Sequence, residues 1–358
     1  MAKSVRRVIT ANDPSGKAVV VADGASPHVL TYEGYGTATM LWQTAETPAR
    51  YESRDRAADQ KGVVPPPNGT VCRIVEFPPH DPRRMAGRTH RDVFRGLVAP
   101  DESRGPARHP HMHRTDTVDY GIVLEGQIHM LMDKGEVHLR AGDVVIQQGT
   151  NHGWVNRERG ICRMAFILID GEKDVRRGLF APMQSSPAND GRPVRRVVTG
   201  HDGEGRAVVI SDAINPNVHV RRTTVANNLW VTRSTPAGYA LEDPVAGHRR
   251  TPPPDGGTLI RITQIPPWRE GTGDHEAFTR ELGVKALAKP RHPFMHRTDT
   301  VDYGFVLDGE IDMLLDEDDV HLRAGDVVIQ QNTNHAWVNR SFAPCRMAFI
   351  LIDGEKHG

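Results

Sequence analysis

The sequence predicts an all-β chain built as two tandem copies of one barrel-like domain, and two observations carry that expectation. Residues 108–173 align without a gap onto 291–356, with 51 identities over 66 positions. Each copy also reads as short apolar runs bounded by turn residues, with no window of long amphipathic helix. Closely spaced strands with regular turns argue for a sandwich or barrel. The repeat unit is about half of the 358 residues, far longer than a solenoid repeat, so each unit should be a domain. The expected division is 1–173, a linker at 174–193, and 194–358. The linker stretch carries Pro, Gly and Ser without periodicity.

Upstream of the strong repeat the match weakens but persists. VRRVITANDPSGKAVVVADG at Val5 answers VRRVVTGHDGEGRAVVISDA at Val194. Leu41 to Pro48 answers Leu229 to Pro236, with Trp42 against Trp230, and the PPP run at Pro65 answers that at Pro252. Within the first copy, residues 18–22, 71–77, 120–124, 128–132, 143–147 and 164–169 are of strand length and rich in Val, Ile, Leu, Met and Phe. Glu125-Gly126, Asp133-Lys134-Gly135 and Ala141-Gly142 supply turns between them, repeated as Asp308-Gly309 and Ala324-Gly325. Residues 5–22 and 194–210 could pair across the two barrels and cover sheet edges that would otherwise be exposed.

Composition excludes several classes. Lys+Arg and Asp+Glu are both 45, so the formal charge is zero. Nucleic acid and anionic membrane surfaces both require a clustered positive excess, and neither is expected as a partner. No stretch approaches the roughly 20 apolar residues of a membrane span. No apolar segment near Met1 precedes a cleavage site. Cys72, Cys162 and Cys345 are too few and too scattered for a disulfide framework or a CxxC zinc site. The expectation is a reduced, cytoplasmic protein with a small-molecule substrate and a possible homo-oligomeric state.

The chemistry-bearing residues cluster in the strong repeat. Gly105 is followed after five residues by His111-Met112-His113, then by Asp119 and, six residues on, by Gly126. Gly142 leads to Gln147-Gln148-Gly149, His152 and Asn156. These two motifs resemble those of the cupin family. Two departures stand out: Asp119 replaces a glutamate and lies one residue further from the histidine pair, and the second motif has Gln for Pro and is one residue shorter. The second copy keeps His296, Asp302, His335 and Asn339 but has Phe294, Ala288 and Asn332 in place of His111, Gly105 and Gly149. The resemblance implies a bicupin, with two jelly-roll β-barrels and a site inside each. It also implies oxygen insertion by a non-haem dioxygenase as the leading activity. Non-redox decarboxylation, isomerisation or dehydration comes second, and metal-free ligand binding third.

Strand alternation argues for the same residues independently. Asp119, Gly121 and Val123 share one face, as do His152, Trp154 and Asn156. Two imidazoles and a carboxylate facing a low-dielectric interior are costly alone and tolerable around a cation. Two His and one carboxylate with open positions is the facial arrangement of non-haem Fe(II). With His111 added the first copy also suits Mn, Ni, Zn or Cu, so ligand count makes the N-terminal barrel the better metal candidate. The residues leave alternatives open. His111 or His113 could be loop histidines after His109-Pro110, Asp119 could pair with Arg114 or Arg163, and His152 could only bond its own turn. His138 and His321 read as outward-facing, and Asp116 and Asp299 as loop caps. Trp154 and Trp337 read as pocket walls beside Asn156 and Asn339, and Cys162 and Cys345 as core thiols. No separate catalytic base is evident.

Overall fold

The computed structural model describes residues 3–32, 35–60, 62–87, 108–173, 192–271 and 273–356. Gly105 and nearly all of the expected linker at 174–193 lie outside the described residues. The all-β expectation is met: the strands form two eight-stranded sheets and two three-stranded sheets, packed as two barrels of jelly-roll type. The apolar runs of the sequence become strands that extend a residue or two beyond them. Examples are Thr117–Glu125, Gln127–Met132, Val144–Gln148 and Cys162–Asp170. Gly126 and Gly142 close the turns between them with φ of 77° and 94°, a region that favours glycine. Asn332 takes the left-handed conformation at φ 50° where Gly149 has φ 57°, which explains why Asn could replace Gly there.

Each large sheet is assembled from both halves. The first runs in the order Ala207–Ile214, Arg195–His201, Val144–Gln148, Thr117–Glu125, Cys162–Asp170, Thr70–Phe77, Gly36–Thr44 and Val29–Tyr32. The second mirrors it, ending with Thr300–Asp308, Val327–Gln331, Arg6–Asn12 and Ala18–Ala25. The first hairpin of each half has therefore crossed to the other barrel. Arg7, Val8 and Ile9 pair in parallel with Val327, Val328 and Ile329, and Arg196, Val197 and Val198 with Val144, Val145 and Ile146. These are the two segments whose pairing across the barrels the sequence suggested.

Side chains fix the exchange twice over. Arg6 donates to Asp326 at 2.8 Å and to the His321 carbonyl at 2.9 Å, while Arg195 donates to Asp143 at 2.8 Å and to the His138 carbonyl at 2.9 Å. Tyr120 and Thr258 share a buried hydroxyl hydrogen bond of 2.8 Å, and Thr70 and Tyr303 one of 2.9 Å. A single buried cluster joins Trp42, Tyr120 and Ile146 to Trp230, Tyr303 and Ile329. Burial of each such large apolar side chain contributes about 1.5–3 kcal/mol. Cys72, Cys162 and Cys345 are all buried free thiols.

Helical elements were not expected, and the longest among the described residues lies in the second half. Residues His275–Leu282 form an α-helix capped by the Asp274 side chain, which accepts from the Ala277 amide, and closed by Gly283 at φ 76°. An Asp N-cap and a Gly just past the last turn are the sequence signals that mark it. No helix among the described residues is long and apolar enough to cross a membrane.

The exchange yields an expectation in hydrogen exchange. A chain lacking residues 1–25 should lose amide protection at Val327–Gln331 by about tenfold or more, while Val144–Gln148 keeps its protection. Equal loss at both strands would mean that the hairpins do not act separately.

Candidate functional site

In the N-terminal barrel, His113, Asp119 and His152 line one cavity together with Trp154, Tyr35, Arg73 and Gln147. Backbone pairing brings the histidines together: His113 and His152 form an isolated antiparallel bridge, and their ring centroids are 4.4 Å apart. Asp119 reaches the cavity from Thr117–Glu125, where it lies opposite Gln147. In the C-terminal barrel, His296, Asp302 and His335 line a cavity with Trp337, Asn339 and Phe294, and the His296–His335 centroids are 4.2 Å apart.

Every one of these imidazoles has its Nδ1 committed. His113 Nδ1 donates to the His111 carbonyl at 3.0 Å and His152 Nδ1 to the Thr150 carbonyl at 2.9 Å. His296 and His335 do the same with Phe294 at 3.0 Å and Thr333 at 2.9 Å. A carbonyl only accepts, so in His152 and His296 the proton sits on Nδ1 and the Nε2 lone pair is turned away from that bond, the usual arrangement behind a metal-bound histidine, while His335 Nδ1 is also met by the Gln330 side-chain amide. Burial lowers His152 and His296 to about 4 and drives His335 well below its ordinary value, so all three are neutral near pH 7.

The carboxylates are the unstable members. Burial raises Asp119 and Asp302 each to about 7, against the hydrogen bonds of Thr117 and Thr300 and the charges of Arg73 and Arg261. One oxygen of each, Oδ1, is buried without a hydrogen-bond partner. Neither alternative partner takes up Asp119: Arg114 pairs with Asp116 at 2.8 Å, and Arg163 lies 3.1 Å from Glu76. Neutral imidazoles facing an orphaned carboxylate oxygen form a donor set that suits a divalent cation. The fit is chemical and not yet geometric. The donor atoms of neither triad all lie within 4.8 Å of one another; among the described residues that condition is met by His129, His138 and Glu158. Aspartate is one methylene shorter than the glutamate its position resembles.

The remaining sequence candidates fall elsewhere. His111 sits apart from the N-terminal cavity. Its Nδ1 bonds the Trp154 carbonyl at 2.9 Å, and its ring packs against Tyr35 at 4.9 Å and His109 at 4.6 Å. Residues 108–112 form a turn rather than a strand, and His111 lies on it, outside the cavity lining. Asn156 donates to the carbonyls of Phe77 and Gly160, both at 2.8 Å, and Asn339 to those of Ile265 at 2.9 Å and Ala343 at 2.8 Å. Both asparagines tie down loops, although Asn339 also borders its cavity.

The two cavities differ in kind. The N-terminal one measures about 30 Å³, room for a water or an ion, and the C-terminal one about 290 Å³, room for a small organic molecule. Tyr35 and Phe77 make an edge-on pair at 5.5 Å in the N-terminal barrel, where the aligned positions of the other copy are Thr223 and Ile265. The larger cavity is also cationic. Arg261 is fully enclosed, lowered by burial to about 9, and donates to Thr251 at 3.0 Å and the Arg250 carbonyl at 3.0 Å. Arg221 joins it at Thr251, at 3.1 Å. Sequence reasoning passed over both arginines. A lone Arg in the apolar run TLIRITQI, as in TVCRIVEF, was the available signal.

Comparison with known proteins agrees with these motifs. The Cupin domain family matches residues 94–169 and 281–352. The chain is 30% identical over 187 residues to the phomopsin biosynthesis cluster protein D of Diaporthe leptostromiformis, across 49% of this chain and 87% of that protein. It is 29% identical over 172 residues to the cupin-domain-containing oxidoreductase virC of Hypocrea virens, across 46% of this chain and 75% of that protein. Among solved structures, AerE from Microcystis aeruginosa matches over 91% of this chain and 96% of its own, at 11% identity and a TM-score of 0.42.

The carboxyl shift has a sign that can be measured in metal-free protein. A folded-state value of about 7 against an ordinary 3.8 means that the folded chain binds more protons than the unfolded chain between those values. Stability should therefore fall as pH rises from about 4 to about 7. Asp302→Asn should remove part of that slope and raise stability at pH 8 by an amount on the order of a few kcal/mol. Urea unfolding across this range checks it; an unchanged slope would mean that Asp302 is not held protonated.

Proposed function

The chain belongs to the cupin family, with one cupin domain in each half, and from that premise we propose that it is a metal-dependent oxidoreductase of the dioxygenase type. The proposed substrate is a small organic acid, enol or phenol bound in the C-terminal barrel. The observation that carries this is the coincidence of space, donors and charge. The cavity of about 290 Å³ holds His296, His335 and Asp302 on its wall beside Arg221 and Arg261. That four of its curated relatives are named cupin-domain-containing oxidoreductases supports the reaction class.

His296, His335 and Asp302 would hold the metal, with iron the first candidate. Such an ion supplies Lewis-acid polarisation and, for iron, a path for electrons to O2. The chain's own residues do the rest. Arg221 and Arg261 bind and orient the substrate anion, because buried guanidinium groups without a carboxylate hydrogen-bonded to them favour one arriving from solution. Phe294, Phe278, Trp337 and Phe349 wall the site and exclude water. In the metal-free site Asp302, raised by burial to about 7, can hold or release a proton at its oxygens. That same poise favours a second reading, non-redox proton transfer at the same site. It would show as solvent-deuterium incorporation without O2 uptake.

The N-terminal barrel, better supplied by ligand count, lacks the room, so the roles expected from ligand count alone are reversed in this proposal. With iron-loaded protein and a panel of phenolic, enolic and carboxylic acids, His296→Ala should abolish substrate-dependent O2 uptake while His113→Ala keeps most of it. Thr223→Tyr should block it as well, and loss through His113→Ala alone would overturn the assignment. Arg221→Gln should weaken binding of the active acid about tenfold, the scale of a charged hydrogen bond of about 1.5 kcal/mol, as read by calorimetry.

A further inference from the structure

A second constellation lies outside both cavities, on the outer face of the small sheet formed by His152–Val155, Gln127–Met132 and Glu136–Arg140. His129 and His138 are direct cross-strand partners, and their rings stack with centroids 4.5 Å apart and planes 6° from parallel. Glu158, in the turn that follows His152–Val155, places one oxygen, Oε1, 4.0 Å from His129 Nε2 and 3.8 Å from His138 Nε2. His138 Nε2 is shielded from solvent yet has no hydrogen-bond partner. Two imidazole nitrogens thus converge on one carboxylate oxygen, with all three donors within 4.8 Å of one another.

We propose that His129, His138 and Glu158 form a surface site for a divalent transition-metal ion of the zinc type, separate from the barrel centres. Four ligands at bonds of about 2.1 Å around a tetrahedral ion stand about 3.4 Å apart. The observed 3.8 and 4.0 Å to Glu158 require a contraction of about half an ångström, and the stacked rings must also turn out of parallel to aim both lone pairs at one ion, a movement open to side chains that are only half-buried. On the far side of the ring, the Arg157 guanidinium donates to His129 Nδ1 at 3.5 Å, with Glu136 3.8 Å away, so an ion at Nε2 would take the place of the proton that Nε2 holds toward Glu158. The nearby positive charge is already matched: Arg157 grips Glu136 with two hydrogen bonds of 2.8 and 3.1 Å. Three protein ligands leave a fourth position for water, and the ion would staple the cross-strand pair to the adjoining turn.

The duplication supplies an internal control. The positions equivalent to His129, His138 and Glu158 are Asp312, His321 and Ser341. There His321 Nδ1 donates to Asp312 at 2.8 Å and Arg340 donates to the same carboxylate at 3.0 Å, so the pair is closed by an ordinary salt-bridged network. Any ion bound on this face should therefore belong to the first half alone.

The test uses the full chain stripped with a chelator and titrated with Zn²⁺ by calorimetry, with Co²⁺ absorption as the spectroscopic readout. His138→Gln and Glu158→Gln should each lose one equivalent of Zn²⁺ relative to the parent, while His321→Gln loses none. The Asp119→Asn, Asp302→Asn double variant, weakened at both barrels, should keep that equivalent. Zn²⁺ should raise the Tm of the parent by a few degrees more than that of His138→Gln, while both melt alike in the presence of chelator. Equal stoichiometry in the parent and His138→Gln, loss of the equivalent in the barrel double variant, or a Kd above about 1 mM would overturn the site. None of these outcomes bears on O2 uptake, so the proposed activity stands or falls separately.

Discussion

Two short parallel pairings, Arg7–Ile9 on Val327–Ile329 and Arg196–Val198 on Val144–Ile146, condition everything else in this molecule. They give each barrel a strand that the other half encodes. An open strand edge invites pairing with another chain, and here each half covers the other's edge. Arg6 and Arg195 anchor the two hairpins through matching carboxylates and matching carbonyls, so the exchange has near-twofold symmetry at the level of single hydrogen bonds. The strands that carry Asp119 and Asp302 sit one ladder inward from the exchanged edge. Each crossed hairpin therefore borders the sheet on which one of the two carboxylates stands.

Within that frame the copies diverge by volume more than by donors. Both keep two histidines with Nδ1 tied to a carbonyl and an aspartate with an orphaned oxygen. What separates them is upstream, where Tyr35, Val75 and Phe77 correspond to Thr223, Thr263 and Ile265. In the first copy the aromatic pair Tyr35–Phe77 closes the interior, and Tyr35 continues edge-on into His111. The second copy has smaller side chains there, and Phe294 in the His111 position packs on Phe278 of the unexpected helix. A count of ligands and a count of space thus rank the barrels in opposite order, and only space limits an organic substrate.

The division between what could and could not be read from sequence follows the same line. Strands, turns, the duplication and the barrel family were legible because they depend on local periodicity, on Gly and Asp turns and on motif spacing. Strand parity points Asp119 and His152 inward, and both line one cavity with His113, although the three donor atoms do not all lie within 4.8 Å of one another. His111 entered the ligand set through the motif alone, and in the structure it lies in a turn outside the cavity lining. The plug and the opening were illegible because a cavity is a difference between distant side chains, here Tyr35 against Phe77, which no single position records. His138 does face outward, as its sequence context suggested, but outwardness says nothing about its neighbours: only the register opposite His129 does.

Charge arithmetic explains why the larger cavity asks for an anion and the smaller one does not. In the N-terminal site Arg73 and an ionised Asp119 cancel, and His152 is neutral. In the C-terminal site four arginines, Arg221, Arg222, Arg261 and Arg269, line the cavity against Asp302, leaving an excess of positive charge beside an apolar wall. A carboxylate or enolate entering there would neutralise that excess, yet it would also compete with Asp302 for the field of Arg261 and push the Asp302 proton more firmly on. A divalent cation between His296, His335 and Asp302 reverses the effect, because it draws the proton off the carboxylate while adding to the attraction for the anion. Anion and cation are therefore expected to bind with positive coupling through Asp302, each removing the electrostatic cost that the other meets alone.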